Sequence, residues 1–92
     1  MLKIEISKKA ERFIRSREPK HRRQITSKIL GLRENPIPSD SESLKGSEIG
    51  ERRATIGEYR IIYWLETSEG QPGTLHVDTI GKRNDGQVYR GQ

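Results

Sequence analysis

Glu58-Tyr59-Arg60-Ile61-Ile62-Tyr63-Trp64-Leu65 is the one long apolar run in the chain, and it is β-branched and aromatic. That composition marks a central strand. Arg60 interrupts the run near its start, and burying an unpaired guanidinium is costly. Arg60 is therefore paired, turned to solvent at a strand end, or placed to receive an anion. Glu51 and Glu58 are the acids within reach of a cross-hairpin pair.

Upstream, Glu51 to Ile56 reads as a second strand, joined to the first by Gly57-Glu58. Glycine first in a two-residue connection is the signature of a type II′ hairpin. The implied register pairs Ile56 with Tyr59, Thr55 with Arg60, Ala54 with Ile61 and Arg53 with Ile62. One face then carries Ala54, Ile56, Tyr59 and Ile61. The other carries Arg53, Thr55, Arg60, Ile62 and Trp64, because side chains alternate with period two. Arg53 and Arg60 become diagonal neighbours, able to share one anion.

Asn35-Pro36-Ile37-Pro38-Ser39-Asp40-Ser41-Glu42-Ser43 precedes this hairpin as a loop, since its two prolines fit neither strand nor helix. Further upstream, Leu2, Ile4 and Ile6 alternate with Lys3 and Glu5, the pattern of a half-buried strand with the apolar residues inward. Ser7 is a helix cap, and Ala10, Phe13 and Ile14 form a narrow apolar stripe behind it. Glu18-Pro19 ends that helix and opens the next, which runs from Pro19 to Glu34 on the spacing of Ile25, Ile29 and Leu32. Downstream, residues 68–73 form a loop. Thr74 to Ile80 make the last strand, with Leu75, Val77 and Thr79 alternating against His76, Asp78 and Ile80.

The order is β-α-α-β-β-β, an α+β fold in which a helical hairpin packs on one face of an antiparallel sheet. Residues 1–92 make a single domain. There is no cysteine, so disulfides, thiolate nucleophiles and cysteine zinc sites are excluded. No run approaches the length of a membrane span and no signal-peptide core is present, so a soluble cytoplasmic protein is expected. The net charge is +5, and residues 1–35 hold 11 Lys and Arg against four acids. A polyanion such as nucleic acid is the partner this implies, against the plainer reading of solvated helix faces.

The cations suggest phosphate chemistry. Arg53 and Arg60 on adjacent strands, Lys82 and Arg83 after the last strand and Tyr89 near the end converge if the topology holds. Guanidinium groups fork onto phosphate oxygens and stay charged at any working pH. Tyrosine can stack on a base or move a proton. No carboxylate cluster has metal-ligand spacing, so no metal and no cofactor is expected. His21 and His76 read as ordinary surface or sheet residues. RNA would supply its own nucleophile, the 2′-hydroxyl. Solvated cations and a cross-hairpin ion pair are the bland alternative.

Leu44-Lys45-Gly46, the segment from Arg53 to Gly57 leading into Tyr59-Arg60-Ile61-Ile62-Tyr63, then Gly81-Lys82-Arg83 and Val88-Tyr89-Arg90, resemble the RelE/ParE superfamily of bacterial and archaeal toxins. The two-helix N-terminus ending at Asn35-Pro36 matches as well, so the resemblance covers nearly the whole chain. It implies the toxin of a type II toxin–antitoxin module. The RelE branch cleaves mRNA in the ribosomal A site without metal; the ParE branch poisons DNA gyrase and generally lacks the RNase residues. A non-catalytic RNA- or ribosome-binding relative is the other alternative. By this likeness Arg60 holds the phosphate and stabilises the transition state. Arg83 neutralises charge and protonates the leaving 5′-oxygen, and Tyr89 stacks on a base or assists proton transfer. Arg53, Lys82 and Arg90 contact substrate. The basic excess of the N-terminal helices, away from the face of Arg60, further predicts that Arg22, Arg23 and Lys28 dock on ribosomal RNA. The implied partners are an acidic, partly disordered antitoxin, the ribosome with its mRNA, and operator DNA for the toxin–antitoxin complex. The pattern departs at Thr55, where active relatives often carry a second Lys or Arg that Lys82 covers only in part.

Overall fold

The computed structural model describes residues 2–83. Strand β1 (Lys3–Ile6) leads into helices α1 (Lys8–Arg15) and α2 (Pro19–Glu34), followed by strands β2 (Glu42–Ser43), β3 (Arg52–Ile56), β4 (Tyr59–Ser68) and β5 (Gln71–Lys82). The sheet order is β1-β5-β4-β3-β2. The quoted stretch falls on β4, the central strand.

Both helices begin where local chemistry directs. Ser7 accepts a hydrogen bond from the Ala10 amide at 3.0 Å, and its hydroxyl donates to the Asp78 carbonyl at 2.7 Å. One residue thus caps α1 and ties it to β5. Pro19 occupies the first turn of α2, where a missing N–H costs nothing. Ala10, Ile25, Ile29 and Leu32 come down on Ala54, Tyr59, Ile61, Tyr63, Leu75, Val77 and Ile80 to make one core. The buried Tyr63 hydroxyl donates to the Pro36 carbonyl at 2.7 Å, which anchors the segment after α2.

The β3–β4 register is the one the hairpin signal implies, from Ile56 opposite Tyr59 to Arg53 opposite Ile62. Gly57 has φ +56°, and Glu58 beside it does not share the left-handed region. Helices cover the face of Ala54 and Tyr59; the face of Arg53, Thr55 and Arg60 is left open by them.

Five details differ from the sequence expectation. Strand β1 joins the sheet parallel to β5, so the sheet is mixed rather than wholly antiparallel. Ile6 is 39% exposed rather than inward, because β1 is an edge strand that ends there. Strand β2 forms within the segment expected as a loop, pairing Glu42 with Arg53 and Ser43 with Arg52. The loop expected at residues 68–73 is a tight turn at Glu69-Gly70, φ +54° and +80°, between longer strands. A register shift between Ile62 and Tyr63 also leaves Asp78 as an extra residue on β5. That bulge reverses the alternation, so Ile80 enters the core with Leu75 and Val77, 5% exposed.

Candidate functional site

Arg60 lies near the start of β4, opposite Thr55 on β3 and Gly81 on β5. A threonine and a glycine are its direct cross-strand partners, and Arg60 is half-buried. Arg83 comes to the same end of the sheet. Its amide donates to the Glu58 carbonyl at 2.6 Å, and its guanidinium Nη1 to the Gly57 carbonyl at 3.4 Å. The β3–β4 turn thus holds the residue that follows β5, and the two arginines share one end of the sheet.

The other expected cations divide. Arg53 is on the open face, diagonal to Arg60, but its guanidinium pairs with the Glu42 carboxylate on β2. Lys82 does not converge with Arg60. It pairs with Tyr59, so its side chain emerges on the helix side, lining a cleft of about 260 Å³ with Arg17, His21, Glu58 and Tyr59. Tyr89 and Arg90 lie outside the described residues.

On α2, Arg22 and Arg23 are exposed on the side away from the sheet. Lys28 is spent locally: its ammonium donates to the Asp40 carboxylate at 2.9 Å, and this bond, with the attraction of the charge, holds the Asp40 carboxyl below its ordinary range.

The open face also carries groups that the sequence reading passed over. Trp64 stacks on His76 with centroids 4.2 Å apart and planes 8° apart. His76 Nε2 is 2.7 Å from Glu66. Glu51 hydrogen-bonds to Asp78, and that bond, with burial, raises the Glu51 carboxyl above its usual value. This acid pair brings together residues 27 positions apart, one of them in a bulge, so no local motif announces it. His21 was also misjudged. It is half-buried on α2, and its Nδ1 shares a 2.6 Å hydrogen bond with the Tyr59 hydroxyl. Its one local cue is a position one helical turn before Ile25. Among the described residues no three His, Asp or Glu side chains gather as they would around a metal ion, and no helix is long and apolar enough to cross a membrane.

Solved structures share this architecture. The archaeal RelE–RelB complex from Pyrococcus horikoshii OT3 contains a chain 22% identical, with a TM-score of 0.75 over 90% of this chain and 96% of that one. The isolated Escherichia coli RelE toxin is 18% identical, with a TM-score of 0.74 over 99% and 94%. The intact E. coli RelBE toxin–antitoxin complex gives 18% identity and 0.68 over 92% and 100%. No protein-family profile matches the sequence, and no curated protein matches it significantly. The chain therefore has the fold of the RelE toxins.

Proposed function

We propose that this chain is the toxin of a type II toxin–antitoxin module and a ribosome-dependent endoribonuclease that cleaves mRNA in the A site. The observation that supports the reading is that Arg60 and Arg83 lie at the same end of the sheet, beside the β3–β4 turn, on a fold shared with RelE toxins. The 2′-oxygen of the RNA attacks the adjacent phosphorus and gives up its proton to water, the P–O5′ bond breaks to leave a 2′,3′-cyclic phosphate, and O5′ takes a proton from Arg83, which water then restores. Arg60 holds the non-bridging oxygens and stabilises the added charge. Arg83 neutralises the phosphate as O5′ leaves and protonates that oxygen, and Tyr89 stacks on a base or assists proton transfer. The chemistry is positioning and charge stabilisation, with the nucleophile supplied by the substrate and no metal required.

Arg22 and Arg23, exposed on the helix layer, serve ribosomal RNA rather than the reaction. An acidic antitoxin segment over the arginine face is the natural inhibitor, since it neutralises Arg60 and Arg83 together. The RelE–RelB and RelBE complexes among the structural neighbours support a protein partner of this kind. Induced expression followed by mapping of mRNA 5′-ends tests the function. New ends within translated codons support it. Intact mRNA with a DNA-damage response would replace it with a gyrase poison.

A further inference from the structure

His21-Arg22-Arg23-Gln24 is one turn of α2, and its four side chains divide by direction. Arg22 and Arg23 are exposed, whereas His21 and Gln24, three apart and so on one side of the helix, are half-buried. Both inward residues meet the β3–β4 hairpin. A Cβ added to Gly57 would stand 2.8 Å from Gln24 Nε2 and 3.1 Å from Gln24 Oε1, so the side chain of Gln24 lies directly against the turn. His21 Nδ1 shares its 2.6 Å hydrogen bond with Tyr59, the residue that leaves the turn. The Tyr59 ring is 1% exposed, with Phe13 and His21 edge-on at 5.7 and 5.4 Å.

What this grip holds matters. The carbonyls of Gly57 and Glu58 receive the guanidinium and the amide of Arg83, and Arg60 follows Tyr59 on the opposite face. The tip of a two-residue hairpin is ordinarily among the more mobile parts of a fold. Here it is clamped from the helix side.

We propose that His21 and Gln24 are positioning residues, which fix the Gly57-Glu58 turn and through it set Arg83 and Arg60 on the phosphate. The inference rests on the reading of that arginine pair as phosphate-binding. Neither residue touches substrate. Both act through the turn, and displacement of a catalytic group by about 1 Å can cost about 100-fold in rate.

The test uses the full chain with Gln24→Ala, His21→Phe and His21→Gln. Three readouts are needed: kcat and KM for mRNA on ribosomes, thermal stability, and hydrogen exchange of the Arg83 amide. Gln24→Ala and His21→Phe are expected to lower kcat about 10- to 100-fold with KM within about twofold, and to speed exchange at Arg83. His21→Gln, whose amide can still bond to the Tyr59 hydroxyl, is expected to restore most of kcat and the protection. Unchanged exchange at Arg83 in Gln24→Ala and His21→Phe would overturn the proposal, as would failure of His21→Gln to recover kcat despite a native melting temperature. If the wild-type chain cleaves no RNA, the functional reading falls, while the exchange rates still decide whether α2 holds the turn.

Discussion

Arg60 and Gly81 face each other across the β4–β5 ladder, so the residue directly opposite the arginine on that side has no side chain. On the other side stands Thr55. This setting supplies only one strand-borne guanidinium at that rung. Thr55→Lys would place a second cation directly opposite Arg60. The expected outcome is faster cleavage, together with a stability loss of about 0.2–1 kcal/mol from like charges directly across the ladder. Single-turnover cleavage and thermal melts on the same variant check both. A stability loss with no gain in rate would show that charge at this rung does not limit the reaction.

Glu51 and Asp78 share a hydrogen bond that raises the Glu51 carboxyl. A carboxyl raised on folding binds its proton more tightly in the native state, so its stabilising contribution is present below its unfolded value and is lost as pH rises through the folded one. Once both carboxyls are ionised the pair is a repulsion. Glu51→Gln keeps a donor for Asp78 and removes the charge. Its melting temperature is expected above wild type at pH 7, with the gain shrinking toward pH 4. A gain that is flat with pH would contradict this.

Ser7 does two things at the β1–α1 junction: it caps the helix and bonds to the Asp78 carbonyl. Ser7→Ala is expected to cost about 1–2 kcal/mol. For a domain of this size that is about 4–16 °C in melting temperature. A shift inside experimental error would mean that the packing of Ala10 alone fixes α1.

Arg22 and Arg23 point away from the arginine face, so binding and chemistry should separate. Arg22→Gln with Arg23→Gln is expected to weaken ribosome association and to reduce the slope of log affinity against log salt by about 1.8 if both touch phosphates. Cleavage per bound ribosome should persist. Loss of cleavage with full binding would contradict the division.

The sequence carried most of this fold because its signals were local. The Gly57-Glu58 turn set the register of β3 against β4, and Pro19 divided the two helices at their observed boundary. The parallel entry of β1 beside β5 was not legible, since pairing across some 70 residues leaves no local trace. The bulge at Asp78 was equally silent, and it sent Ile80 into the core against simple alternation. Of the candidate site, the place of Arg60 on the open face is legible as a charge interrupting an apolar strand. Lys82 was grouped with Arg83 because chain proximity does not reveal which face a side chain takes. Arg53 was read as free for substrate because β2, which brings Glu42 against it, is two residues long. The role of His21 depends on a partner 38 residues away.

The most direct test is Arg60→Ala, expressed alone beside wild type, with mRNA 5′-ends mapped and the melting temperature of each protein recorded. The expected result is a folded protein, near wild type in stability, whose cleavage falls on the order of 10²–10³-fold, as for loss of one transition-state charge contact. Cleavage near the wild-type rate, or a variant that unfolds because Arg60 serves the fold, would contradict the assignment of this arginine to phosphate.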